Sequence, residues 1–155
     1  MDTRAGSAGQ RLRISSRREE LDVEMIHRHL SQEAYWCRGI PRATVERAIA
    51  GSLCFGGYLE GAGQVAFARA VTDGATFAYL ADVFVLPDHR GHGFSRQLMD
   101  AAMAHPQLQG LRRIMLATSD AHGLYAKYGF AAPAQPQTLM EILQPDIYQV
   151  AAAAH

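Results

Sequence analysis

The sequence predicts an α/β fold built on one mixed sheet: an antiparallel meander joined to a parallel βαβ crossover and flanked by about four helices. Three observations predict it. In the N-terminal third, apolar residues recur at helical spacing, as at Leu21, Met25, Ile26 and Leu30. From Ser52 the period changes to two, and three apolar runs are separated by glycine-bearing turns. The third of these runs stops at Pro87 and leads into a glycine loop, an amphipathic stretch and a further apolar run. Strand, helix, strand in that order is a parallel crossover.

Residues 1–10 are small and polar and read as a disordered lead, 11–150 as a single domain, and 151–155 as a frayed tail. Arg11–Ile14 alternates and predicts a short edge strand. Ser16 and Glu19 have capping-box spacing and would open the first helix. Gly39 and Pro41 punctuate the stretch that follows, and Thr44–Ala50 predicts a second helix stopped by Gly51. Leu53–Leu59, Gln64–Val71 and Thr76–Leu86 predict the three meander strands, turning at Glu60–Gly63 and Thr72–Gly74. Phe94, Leu98, Met99 and Ala102 lie along one helical face, and His105-Pro106 ends that helix. Arg113–Thr118 predicts a buried strand. Asp120–Tyr128 predicts a short helix capped by Ser119 or Asp120, and Thr138–Leu143 a last strand.

A chain of 155 residues suits one domain with a core that needs no staples. Apolar residues make up 48% and charged residues 19%, the balance of a globular protein. Fifteen basic residues offset fifteen acidic ones, which gives no electrostatic case for nucleic acid or an anionic membrane. Cys37 and Cys54 are the only cysteines. They match no metal spacing and predict a reducing, cytoplasmic setting without a metal. No apolar run approaches the ~20 residues of a membrane span, and no signal-type segment opens the chain.

The informative stretch is Arg90-Gly91-His92-Gly93-Phe94-Ser95, placed between an apolar strand and a helix. A glycine turn there aims backbone N–H groups at the helix N-terminus, where orphan donors and the dipole favour an anion such as phosphate. Arg90 adds a fixed positive charge. Phe94-Ser95 stands where a nucleotide P-loop carries Lys and Ser/Thr, and the three-glycine dinucleotide spacing is missing. A tight turn with no ligand is the bland alternative. A second stretch, Leu124-Tyr125-Ala126-Lys127-Tyr128-Gly129-Phe130, follows the next predicted strand.

Taken together, these two motifs, in this order, resemble the acetyl-CoA pyrophosphate loop and the thiol-side segment of the GNAT N-acetyltransferase superfamily. Ser95 departs from the Gly or Ala usual at the end of the loop. The element order is similar to the family's from about Leu12 to Gln149. Tyr35-Trp36 with Gly39-Ile40-Pro41, Val71-Thr72-Asp73 and Asp120–Tyr125 further resemble a branch of small bacterial acetyltransferases of unassigned substrate.

The resemblance implies acetyl-CoA as co-substrate, no metal, and direct transfer to an amine in a ternary complex. Val83, Phe84 and Val85 would pair with the pantetheine arm through their backbone. Arg90, Gly91, His92, Gly93, Phe94 and Ser95 would hold the pyrophosphate, mainly by N–H groups. Tyr125 matches the family's general acid near the coenzyme sulfur. With ordinary values of about 10 for tyrosine and about 8.5 for a thiol, full proton transfer is uphill by roughly 2 kcal/mol, so a strong hydrogen bond or late transfer fits better.

Asp82 interrupts an apolar strand, where an unpaired carboxylate is costly. It is a candidate base or substrate anchor, or equally a structural hydrogen-bond partner. His122 shares a face with Tyr125 and titrates usefully, although a capping or surface role suits it as well. Trp36 either covers an acceptor or anchors the core. Cys37 has no visible His/Asn partnership for nucleophilic work. His27 and His29 fall on different helix faces, and His89 and His92 read as loop surface. The acceptor is a small-molecule or peptide amine, and the family's habit of pairing implies a homodimer. The rival reading is a non-catalytic acyl-CoA-binding or regulatory module on the same fold.

Overall fold

The computed structural model describes residues 10–149. The expected lead falls almost wholly outside that span, and the expected tail wholly so. Five strands form one sheet in the order β1-β2-β3-β4-β5: β1 Arg13–Ser15, β2 Leu53–Leu59, β3 Gly63–Thr72, β4 Phe77–Val85 and β5 Arg113–Met115. The first four pair antiparallel and β5 lies parallel to β4. The α-helices bounded within the described residues are α1 Val23–Gln32, α2 Arg42–Ala50, α3 Phe94–Ala104 and α4 His122–Ala126, and residues 147–149 are helical as well.

Alternation along β3 sends successive side chains to opposite faces. Phe67 turns toward α1 and α2, where it packs with Met25, Ile26, Leu30, Val45, Ile49 and Phe84. Ala66 and Ala68 turn toward α3 and meet Phe94, Leu98 and Ala102. The α3 stripe was read from spacing and is buried as expected, with Leu98 and Met99 fully inaccessible. Burying side chains of this size contributes about 1.5–3 kcal/mol each.

Four expectations need correction. Ser16 and Glu19 open no helix: Arg18–Glu20 is a single 3-10 turn, and α1 starts at Val23 with Asp22 Oδ1 accepting from the Met25 N–H at 3.1 Å. Long-range contacts hold that turn, since the Arg18 guanidinium donates to the carbonyls of Ile49 and Ser52. β5 stops at Met115, three residues short. α4 is capped by neither Ser119 nor Asp120; Thr118 Oγ1 accepts from the N–H groups of Asp120 and Ala121. Thr138–Leu143 is not a strand. Pro136–Thr138 forms a 3-10 turn, the Leu139 N–H bonds back to the Pro136 carbonyl, and among the described residues the run pairs with no strand of the sheet.

Candidate active site

β4 and β5 are paired over three positions only, Phe77 with Arg113, Ala78 with Ile114 and Tyr79 with Met115. β5 then ends while β4 runs on to Val85. Among the described residues, no strand neighbours the outer edge of β4 from Leu80 to Val85, so Val83, Phe84 and Val85 lie on an open length of backbone. Asp82 sits at the opening with φ of 54°, the one non-glycine residue with positive φ among the described residues. Asp is among the residues that tolerate that region. The β3–β4 register shifts opposite it, between Phe67 and Arg69.

The loop between β4 and α3 carries Gly91 and Gly93 at φ of 84° and 79°, which L side chains reach only with strain. Gly93 is the N-cap of α3 and supplies no side-chain cap. Among the described residues, no N–H from Gly91 to Arg96 finds an acceptor; the Gln97 N–H is the first that does, on the Gly93 carbonyl. Six free donors at the head of an eleven-residue helix make an anion cradle. Arg90 folds back so that its Nε donates to the Val85 carbonyl at 2.9 Å, tying cradle to open strand. The Phe94 ring is buried in the α3 core, so only its backbone serves the cradle. His92 and Ser95 lie around it, His92 exposed and Ser95 half-buried.

Tyr125 is 8% exposed and packs edge-on against Phe130. Its hydroxyl bonds no described residue, nor is it one of the sealed polar atoms, a condition met only by the Tyr58 hydroxyl among the described residues. It is therefore a donor free for a ligand. Burial raises its pKa above the usual tyrosine value, and Asp120 adds to the effect. Tyr128 is the contrasting case: its hydroxyl donates to Asp100 at 2.6 Å, a structural use.

On the opposite side, both oxygens of Asp82 are engaged. Oδ2 accepts from Arg69 Nε at 2.7 Å, and Oδ1 from Trp36 Nε1 at 3.0 Å. Arg69 also donates to Ser52 Oγ, which itself donates to the Ala48 carbonyl. The Arg69 and Asp82 side chains are 19% and 11% exposed. Trp36 is thus no core anchor; it is 46% exposed and stands edge-to-face with Tyr35. Tyr35 donates to Ser119 Oγ at 2.9 Å, so one turn between α1 and α2 touches both β4 and the segment after β5. His122 is exposed at the start of α4.

Two site-side residues escaped the sequence reading. Arg69 stands within an apolar strand, and a charge there calls for a counter-charge on the neighbouring strand. His29 is 6% exposed and stacks on Phe84 with ring centroids 3.9 Å apart. Burial, then the nearby Arg90, hold it below the ordinary histidine value. Its place three and four residues after Ile26 and Met25, on their face, was the signal for it. His27 instead meets the Ile40 carbonyl. Burial pushes the Cys37 and Cys54 thiols up to about 12 and about 11, far from a nucleophile's range. Among the described residues no three His, Cys, Asp or Glu side chains converge to hold a metal ion, and no helix is long and apolar enough to cross a membrane. A polar cavity of about 290 Å³ between Arg17, Arg18, Ser52, His105 and Gln107 lies apart from the open strand, and its Arg18 is already committed to carbonyls.

Comparison with known proteins places this geometry. The model of the acetyltransferase (GNAT) family matches residues 23–130. A crystal structure of a GNAT-family protein from Xanthomonas campestris pv. campestris is 61% identical with a TM-score of 0.86, covering 88% of this chain and 96% of that one. A candidate acetyltransferase of Gibberella zeae is 36% identical over 128 residues, 69% of this chain and 71% of its own. A candidate acetyltransferase of Clostridium acetobutylicum solved with acetyl-CoA shares the fold at 18% identity, with a TM-score of 0.59 over 86% of this chain and 96% of that one.

Proposed function

Because the chain belongs to the acetyltransferase (GNAT) family, we propose that it is an N-acetyltransferase moving the acetyl group of acetyl-CoA to an amine acceptor by direct attack in a ternary complex. The observation that carries the reading is the row of six unpaired N–H groups from Gly91 to Arg96 beside the open edge of β4. A diphosphate fits that cradle, and an extended amide-bearing arm fits the edge at Val83–Val85 as an added strand would. Arg90 positions the cradle through Val85 and offers its remaining donors to the diphosphate.

The reaction forms a C–N bond and breaks the thioester C–S bond: acetyl-CoA supplies the activated acyl group, the coenzyme leaves as its thiolate, and the proton shed by the amine nitrogen passes to water and from there to that sulfur. The chain's own groups hold and orient. Free N–H groups on the β4 edge polarise the carbonyl, and Tyr125 donates a hydrogen bond to the departing sulfur. Its raised pKa keeps the proton on oxygen throughout the working range, which suits a donor better than an acid that must ionise. Asp82, with both oxygens accepting, acts as an anchor for Trp36 and Arg69 more readily than as a base. Trp36, Tyr35 and His122 border the acceptor side, where a small-molecule or peptide amine would approach.

That commitment of Asp82 favours a second reading, a non-catalytic acyl-CoA-binding module. Release of free coenzyme from acetyl-CoA across a panel of small and peptide amines separates the two. Amine-dependent thiol release is expected; tight coenzyme binding with no release on any amine would establish the module instead.

A further inference from the structure

The segment between α1 and α2 carries two large aromatic rings on its outside. In Ala34-Tyr35-Trp36-Cys37, Ala34 and Cys37 are buried while Tyr35 and Trp36 are 64% and 46% exposed. Exposed aromatics ordinarily keep the polar tip in water and lay the ring on the protein. Here the order is reversed. Trp36 Nε1 donates to Asp82 Oδ1 at 3.0 Å and the Tyr35 hydroxyl to Ser119 Oγ at 2.9 Å, so the polar tips are spent on the protein and ring surface is left to the solvent. The rings meet edge to face at 88°, with centroids 5.2 Å apart, and make a right-angled apolar corner. One ring is fastened to β4 and the other to the segment after β5, so the corner stands across the opening where those strands part. Ser119 leads on into α4 and its Tyr125.

Arg69 sets this corner from behind. Phe67 pairs with Phe84 and Arg69 with Ala81; between these pairs β3 has Ala68 alone, and β4 has both Asp82 and Val83. The extra residue is a β-bulge, a device that re-aims a side chain, and Asp82 absorbs it through its positive φ. Arg69 Nε then holds Asp82 Oδ2 at 2.7 Å while its Nη1 donates to Ser52 Oγ at 3.0 Å. With Oδ2 fixed, Oδ1 is offered to the indole N–H in one direction. A bare ring face also attracts cations, but the carboxylate behind this one is already neutralised by Arg69, so the larger gain comes from apolar contact.

Building on the acetyl-transfer reading above, we propose that the Tyr35–Trp36 corner receives the non-reacting part of the acceptor and selects an amine carried on a flat apolar body, with Arg69 the positioning residue that holds Trp36 through Asp82. A ring fits the corner stacked on one wall and edge-on to the other, the two arrangements that aromatic pairs favour. Its amine then extends past the corner toward the opening between β4 and β5.

Phenethylamine, butylamine and putrescine separate a ring from a plain chain and from a second charge. In the coenzyme A complex, phenethylamine should quench the emission of Trp36, the only tryptophan. With acetyl-CoA it should exceed the other two in kcat/KM by about 10-fold or more, the scale of burying a ring. Trp36→Ala should erase that preference, with circular dichroism unchanged because the side chain is exposed. Arg69→Gln should shift the Trp36 emission and raise the KM for phenethylamine while the KM for acetyl-CoA holds. Arg69→Lys, which keeps the charge without the fork, should recover part of the loss, and in the Trp36→Ala chain Arg69→Gln should add nothing to the acceptor KM. Equal or better turnover of putrescine, a Trp36→Ala chain that slows all three amines alike, or an Arg69→Gln chain that loses Tm and keeps its acceptor KM would overturn the proposal. Phenethylamine binding that Trp36→Ala abolishes in calorimetry, with no thiol release from any amine, would keep the corner and sink the transfer reading. Thiol release without a preference for the ring would do the reverse.

Discussion

Replacing Asp82 with asparagine isolates the charge at the mouth of the open strand. Asparagine keeps the shape and tolerates the positive φ of 54°, so backbone strain is unchanged. What is lost is the counter-charge to Arg69, which sits 2.7 Å away with only 19% of its side chain exposed. Removing one partner of a buried pair costs about 3–5 kcal/mol. Residual solvent contact and the surviving bond to Ser52 Oγ place this case lower, at about 2–3 kcal/mol. For a chain of 155 residues that is a fall in Tm of about 5–10 °C. Thermal melts followed by circular dichroism read the fold, and the fluorescence of Trp36, the only tryptophan, reads the same site. Arg69→Gln should cost a comparable amount, and the double variant should fall short of the sum by at least about 1 kcal/mol. A loss in Tm below about 2 °C, or strict additivity, would refute the ion pair as a stabilising contact.

Tyr125→Phe should lower turnover by about 100-fold or more while leaving coenzyme affinity and Tm nearly unchanged, because the hydroxyl bonds no described residue; unaltered turnover in steady-state assays would remove it from the donor role. Arg90→Ala should weaken acetyl-CoA binding by about 10- to 100-fold in calorimetry, through one charged donor and a loosened cradle; equal affinity would contradict the diphosphate assignment. Alkaline denaturation provides the fourth prediction. Burial raises Tyr58 and Tyr125 above their ordinary value and Tyr128 to about 12. The folded state therefore keeps protons that the unfolded chain releases from about pH 10 upward. The Cys37 and Cys54 thiols, which burial holds up to about 12 and about 11, add the same sign from their unfolded value of about 8.5. Stability should begin to fall above about pH 8.5 and fall more steeply above about pH 10, and urea midpoints that stay flat to about pH 11.5 would contradict it.

Periodicity made the meander legible: β2, β3 and β4 begin and end within a residue or so of where alternation placed them. The α3 stripe was equally plain, because a buried helical face needs no partner to announce itself. Errors arose where a distant group decides. Ser16 and Glu19 have the right spacing, yet Asp22 is the cap, its own N–H held by Gln64 Oε1 from β3. No side chain caps α4: Thr118 Oγ1 closes the turn ahead of it, and the Ser119 hydroxyl receives Tyr35, 84 residues earlier. Thr138–Leu143 has the composition of a strand without a neighbour to pair with. At the site, the backbone cradle was readable from two glycines and a helix start. The engagement of Asp82 was not, because it depends on a register shift in β3 and a turn from another layer.

The abrupt end of β4–β5 pairing after Tyr79 makes the sheet an unfinished zipper. Beyond that point the outer edge of β4 is a seam of main-chain groups with no strand partner among the described residues, closed only at the Val85 carbonyl by Arg90, and its slowest-exchanging amides on β4 should thin out there. Anything that stitches the seam acts as a missing strand, so under the proposed function the acyl donor would also be a structural part on loan. At a concentration 100 times its dissociation constant it would add about 2.7 kcal/mol to the stability of the fold. The protein's resistance to heat and proteolysis would then follow the supply of its own acyl donor.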